Sequence, residues 1–287
     1  MTMSMSRAIE DGTSGIICAS TGNTSASAAA FAAKAKLPCY VLLPAGHVAL
    51  GKLAQALLYG SRVIPVDGNF DQALDMVRAV ADSMKLTIVN SINPYRLEGQ
   101  KTAAFEVIET LQDAPDYLFI PVGNAGNISA YWRGFKLWRD SGRASKAPHM
   151  FGFEAEGAAA IVQGHPIANP ETIATAIRIG NPASWKEAQS AAKDSGGKID
   201  CVTDEAILDA YKLLAQSEGI FCEPSSAASL AGLIKSLKAN LVQQDATVVC
   251  VLTGNGLKDP DTAMRVSNTD LTPVPPDPEM IRKAMLA

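Results

Sequence analysis

The sequence predicts an α/β protein made of two open, mostly parallel sheets flanked by helices. Three observations lead there. Short apolar runs alternate with helical patterns along most of the chain, the order that builds βαβ units and parallel sheets covered on both faces. Several of the runs end in clusters of small polar residues. Aromatic residues make up only 6% of the 287, whereas Ala is frequent, as expected where many helices pack closely on a sheet.

Met1–Glu10 has the pattern of an amphipathic helix. Gly15–Ser20 is a short apolar strand, followed by the Ala-rich helix Asn23–Lys36. Strand Cys39–Pro44 leads to helix Gly51–Tyr59, which Gly60 ends. Strand Arg62–Asp67 precedes helix Asp71–Met84, and strand Thr87–Ser91 precedes helix Glu98–Leu111. Then come strand Tyr117–Val122, helix Ser129–Trp138 and strand Met150–Glu154. Gly157–Ala183 is irregular and rich in small residues. Helices Asp204–Glu218 and Ser226–Lys238 flank a turn at Glu223-Pro224, and strand Thr247–Thr253 runs into Gly254-Asn-Gly256. Asn268–Pro278, rich in Pro and Asp, reads as a surface tail. A boundary near Asn93-Pro94 separates a smaller domain, 12–92, from a larger one, 93–287, which 1–11 joins.

Composition excludes several classes. The chain is 47% hydrophobic and 19% charged with net charge −4, and its Lys and Arg are dispersed, so neither nucleic acid nor a membrane surface is indicated as a partner. Five cysteines without a CxxC, mostly inside apolar runs, read as buried free thiols of a reducing, cytoplasmic compartment. Three histidines without partners at ligand spacing argue against a metal site. No uncharged apolar stretch is long enough to span a bilayer.

Ligands of open α/β sheets bind beyond the carboxyl ends of strands. Four polar clusters fall there: Ser20-Thr21-Gly22-Asn23-Thr24-Ser25, Asn90-Ser91, Gly123-Asn124-Ala125-Gly126-Asn127, and Thr253-Gly254-Asn255-Gly256. By itself the Gly123–Asn127 loop reads equally as an ordinary strand–helix turn or as an anion cradle of backbone N–H groups backed by a helix. Four clusters in register favour one polar cleft. The dinucleotide, P-loop and GxSxG signatures are absent. A ligand that carries a phosphate yet needs only amide, hydroxyl and backbone donors matches pyridoxal phosphate, whose chemistry also requires a lysine.

The segments Ala19–Ala29, Asn90–Thr102, Pro121–Asn127 and Leu252–Asp259 resemble threonine synthase, a pyridoxal-phosphate enzyme of fold type II (tryptophan synthase β-like). The likeness runs in order over essentially the whole chain. It implies that Asn23 bonds the cofactor's 3′ oxygen, that Gly123, Asn124, Ala125, Gly126 and Asn127 hold its phosphate, and that Thr253 meets the pyridine nitrogen. It further implies that Ser20, Thr24, Asn90, Ser91, Arg96 and Asn124 bind O-phosphohomoserine, Arg96 meeting the second phosphate. The implied reaction removes α- and β-protons, eliminates phosphate, adds water at Cβ and releases threonine, in a homodimer.

Other residues have plainer readings. Glu223–Leu230 resembles a family segment near the cofactor ring, or caps the helix that follows. Glu154 and Glu156 line a wall, Thr21 lines or caps, Lys52, Lys101 and Lys258 are surface or loop lysines, and His47 and His165 are surface residues.

The chain departs from the family pattern at its start. Met1-Thr2 match the end of the family's Ser-Phe-Lys-Asp-Arg-Gly-Met-Thr motif, so no catalytic residue is assigned and the Schiff-base lysine is expected upstream of Met1. A reading frame begun at an internal methionine, a true truncation that binds the cofactor non-covalently, or a pseudoenzyme would each account for this. Within enzymes, the alternative is a threonine or serine dehydratase, against which Arg96 with Asn90-Ser91 speaks.

Overall fold

The apolar run Gly15–Ala19 forms strand β1, every residue of which is buried because it lies inside a sheet. In the computed structural model, which describes residues 1–20, 22–45, 50–68, 70–267 and 272–286, β1 pairs in parallel with β2 (Cys39–Pro44) and β4 (Leu86–Ile88). Strand β3 (Arg62–Val66) lies beyond β2, giving the order β3-β2-β1-β4. Thr21, His47, the start of the Pro-rich tail and the side chain of Lys52 lie outside the described residues.

Alternate residues of these strands point to opposite faces. Ile16, Cys18, Val41 and Leu43 pack under α2 (Asn23–Ala35) and α3 (Leu50–Leu58), together with Met5 from α1 (Thr2–Glu10). Ile17, Ala19 and Leu42 pack under α4 (Phe70–Met84). The Ala-rich sequence of α2 lets it approach closely, with Ala28, Ala29 and Ala32 buried.

After α5 (Pro94–Gln100) and α6 (Thr102–Leu111) the chain repeats the plan. Strands β5 (Tyr117–Pro121), β6 (His149–Ala155), β7 (Lys198–Val202) and β8 (Val248–Cys250) form a second parallel sheet, ordered β7-β6-β5-β8. Leu118, Ile120 and Met150 pack against α6, α7 (Gly126–Asp140) and α9 (Trp185–Asp194), a short α8 (Ala160–Gln163) lying between β6 and α9. Phe119, Phe151 and Phe153 pack against α10 (Asp204–Glu218) and α11 (Pro224–Lys238). Each such side chain contributes roughly 1.5–3 kcal/mol by leaving water. Helices α12 (Pro260–Ser267) and α13 (Pro278–Leu286) close the chain, α13 with no buried residue. No helix among the described residues is long and apolar enough to cross a membrane.

Candidate functional site

In both sheets the first strand lies between its second strand and its last one. The helices after β1 and before β4 leave to opposite faces, and the same holds for β5 and β8. Each sheet therefore has one topological switch point, where the diverging connections leave a crevice at the carboxyl ends of two adjacent strands. The described residues of the four polar clusters lie at these two points: residues 20, 22–25 and 90–91 in the first sheet, residues 123–127 and 253–256 in the second. The two crevices face each other. Asn23 Nδ2 donates to Glu223 Oε1 at 3.0 Å, and Asn124 Nδ2 donates to Ser91 Oγ.

In the first sheet, the Asn90 amide is spent on backbone. Its Oδ1 accepts from Ala19 N at 3.0 Å and its Nδ2 donates to Ala19 O at 2.7 Å. The side chain thus replaces the next rung of the β1–β4 ladder and holds Ser20 and Ser91 at the mouth. Ser20 Oγ accepts from Gly22 N at 3.1 Å and Ser25 N at 3.3 Å, capping the start of α2, and among the described residues its own hydrogen has no acceptor. Thr24 lies in the first turn of α2, half-buried. Arg96, on α5, donates from Nη1 to Val89 O at 2.8 Å, while its buried Nε has no partner. Burial lowers its pKa, and among the described residues no carboxylate faces it. A half-buried guanidinium without a counter-ion is a ready receptor for an anion.

In the second sheet, α7 begins three residues earlier than its sequence pattern suggested, because Ala125 takes the left-handed conformation (φ 63°, ψ 0°) and turns the chain directly into the helix at Gly126. Such a conformation costs a non-glycine residue of order 1 kcal/mol and is held by its surroundings. Ala125 and Gly126 are buried. Among the described residues, no N–H from Gly123 to Asn127 donates to another protein group. Buried N–H groups are rarely left so, and five in succession at a helix start form a nest for an anion. A Cβ on Gly123 would lie 2.9 Å from Ile177 Cα, so the wall segment behind the loop admits only glycine there. Asn124 is fully engaged: Oδ1 accepts from Ala183 N at 2.6 Å, its carbonyl accepts from Ser184 N at 3.2 Å, and Nδ2 reaches Ser91.

Thr253 is exposed at the crevice, its Oγ1 3.1 Å from the Oγ of fully buried Ser226. Ser226 Oγ also accepts from Gly254 N at 2.8 Å, and Glu223 N donates to Gly254 O at 2.9 Å. The 253–256 loop is thereby stitched to the start of α11. Gly254 has to lack a side chain, since a Cβ would sit 2.0 Å from Glu223 Oε1. Glu154, at the end of β6, accepts from Ile161 N and Val162 N at the start of α8, and burial pushes it up to about 7.

The structure thus gathers Ser20, Asn23, Thr24, Ser91, Arg96, the 123–127 loop and Thr253 around two facing crevices, with Asn90 turned into the framework. Sequence reasoning did not single out Ile177, Ala183 or Ser184, which brace the loop from the irregular segment; contacts of that separation leave no local signal. Burial pushes the Cys18 and Cys39 thiols up, Cys222 to about 11 and Cys250 to about 12, so these are fillers, not nucleophiles. No metal-ligating cluster is present among the described residues.

Comparison with known proteins agrees with this geometry. A family model described as pyridoxal-phosphate dependent enzyme matches residues 1–254. The chain is 57% identical over 286 residues to a threonine synthase of Synechocystis sp., covering 99% of this chain and 74% of that protein. It is 60% identical over 273 residues to a threonine synthase of Halalkalibacterium halodurans, covering 95% of this chain and 76% of that protein. Among solved structures, maize serine racemase superposes with a TM-score of 0.75 at 22% identity over 90% of this chain and 78% of its own. A threonine deaminase of Solanum lycopersicum gives 0.76 at 21% identity over 90% and 74%. At such identities these two show a shared fold.

Proposed function

We propose, from the premise that the chain belongs to the pyridoxal-phosphate-dependent enzyme family and within it to the threonine synthases, that its two facing crevices form a site converting O-phosphohomoserine and water to L-threonine and phosphate. The observation that carries this reading is the run of unmatched N–H groups from Gly123 to Asn127 opposite an unpaired, half-buried Arg96. One crevice suits the cofactor's phosphate and the other suits a second anion, which the substrate brings.

The fit to the cofactor is supported on three counts. The nest of N–H groups suits its phosphate, the unpartnered Asn23 Oδ1 is a polar atom free to meet a ring substituent, and Thr253 has a hydroxyl that would suit the ring nitrogen. A hydroxyl cannot protonate that nitrogen as a carboxylate would, so the ring stays a moderate electron acceptor. When bound, pyridoxal phosphate supplies a sink for the electrons released at the substrate's α-carbon. The chain's own residues orient the substrate: Arg96 holds its phosphate as a charge-assisted pair, and the hydroxyls of Ser20, Thr24 and Ser91 complete the polar wall. Asn124 acts chiefly as a brace, tying the phosphate loop to Ser91.

This reading draws the cofactor's lysine from a residue on the N-terminal side of Met1. The same reading includes domains 12–92 and 93–287 (with 1–11), a homodimer and a cytoplasmic location. The identity to threonine synthases favours the synthase over a dehydratase.

The test is a titration of the purified chain with pyridoxal phosphate in competition with inorganic phosphate. Threonine formation from O-phosphohomoserine is then assayed in a chain extended N-terminally by the lysine-bearing segment. Saturable binding displaced by phosphate, and threonine formation by the extended chain, are expected. An extended, folded chain that binds no cofactor would overturn the reading.

A further inference from the structure

Glu223 has an unusual place for a carboxylate. It is 2% exposed, no Lys, Arg or His is bonded to it among the described residues, and it reaches across from the second sheet to the first. Its Oε1 accepts from Asn23 Nδ2 at 3.0 Å, and Gly254 leaves the space its carboxyl group fills. Burying a carboxylate is costly unless it is hydrogen-bonded, so the contact calls for a reason.

The consequence falls on Asn23. A carboxylate has no hydrogen to give, so only the NH₂ end of the Asn23 amide can face it. That fixes the amide with Oδ1 turned away from Glu223, and this oxygen is buried without a partner. A stranded buried acceptor costs roughly 1–3 kcal/mol until a donor reaches it. Asn23 therefore offers an acceptor to the ligand, which gives a direction to the bond with the 3′ oxygen that the family resemblance implies.

We propose that Glu223 is a positioning residue of the cofactor site: through Asn23 it presents an oxygen acceptor to the cofactor's 3′ oxygen and so selects the form in which that oxygen carries its proton. The proposal rests on the cofactor reading above and deepens it. Two effects act in the same direction. The Asn23 oxygen accepts a hydrogen bond only from a 3′ hydroxyl, and the buried charge of Glu223 opposes a second negative charge nearby.

The experiment titrates pyridoxal phosphate into the purified chain and follows its absorption bands, which report whether the 3′ oxygen is protonated, across pH. Wild type is compared with Glu223→Gln, Glu223→Asp, Asn23→Ala and the double variant E223Q/N23A, each checked by circular dichroism. Glu223→Gln, which keeps the shape and removes the charge, is expected to lower the pH midpoint of the band change by about one unit or more. Glu223→Asp keeps the midpoint near wild type. In the Asn23→Ala background most of the Glu223→Gln effect disappears, the coupling expected of residues acting through one contact. A midpoint unchanged in Glu223→Gln, or effects of the two sites that simply add, would overturn the proposal. A purely structural role lowers stability and leaves the midpoint in place, which also counts against it. Failure of wild type to bind the cofactor at all is a different result: it removes the cofactor reading itself.

Discussion

Replacing Asn90 by Ala strands two backbone groups at once. The Ala19 N–H and C=O, on a residue 1% exposed, each lose the partner that the Asn90 amide supplies at 3.0 and 2.7 Å. A buried backbone group without a partner costs roughly 1–3 kcal/mol, so the variant loses about 2–5 kcal/mol, a large part of the stability of an ordinary protein. At a urea slope of roughly 2 kcal/mol per M, the midpoint followed by far-ultraviolet circular dichroism falls by about 1–2 M. Asn90→Asp fares no better, because its carboxylate accepts from Ala19 N but faces Ala19 O without a hydrogen between them. An Asn90→Ala variant with an unchanged urea midpoint and, in the N-terminally extended chain, a raised KM for O-phosphohomoserine would refute this reasoning and make Asn90 a substrate ligand, as the family resemblance implied.

Three further outcomes are expected. Arg96→Met removes a half-buried charge that lacks a counter-ion, so ligand-free thermal stability holds or rises, while affinity for inorganic phosphate or O-phosphohomoserine, read by calorimetry, drops about tenfold or more. Asn124→Ala severs the bonds to Ser91 and Ala183, so pyridoxal phosphate binding by fluorescence titration weakens about ten- to a hundredfold while the sheets keep their circular dichroism. Glu154 is raised by burial from 4.5 to about 7 in the folded chain. The folded state then binds its proton more tightly than the unfolded state, so this contribution is complete below about pH 4.5 and is lost as pH rises to about 7, some 3 kcal/mol in all. Glu154→Gln flattens that slope in urea midpoints taken across the window; an unchanged slope would show that Glu154 does not titrate there.

What could be read from the sequence follows burial. Strands β1, β2 and β5 sit inside their sheets, so their runs are continuously apolar and stood out. Strand β7, Lys198–Val202, did not, because it is an edge strand whose Asp200 forms ion pairs with Lys198 and with Lys235. Thr87–Ser91 was expected as one strand, yet β4 ends at Ile88, since Asn90 takes over the pairing through its side chain. Glu98–Leu111 was expected as one helix. It is two, and the earlier one starts at Pro94 behind an Asn93 cap whose Oδ1 accepts from Tyr95 N at 2.9 Å, a start signal visible in the sequence. Asn268–Pro278 was read as a surface tail; the helix α13 that follows from Pro278 has no buried residue and was not expected. The four strand-mouth clusters were legible because hydroxyl and amide residues had to interrupt apolar runs. The pairing of Asn23 with Glu223 was not, since 200 residues separate them.

The repeated strand order has a thermodynamic consequence. Each sheet has its own hydrophobic layers on both faces, so each has the means to melt as a unit of its own. A ligand lodged between the two switch points touches both, and its binding free energy is added to the free energy of holding one unit on the other. Filling the cleft therefore does more than raise a melting temperature by mass action. In a calorimeter, separate ligand-free transitions draw together into a single one as the cleft fills, because the ligand leaves only when the units part.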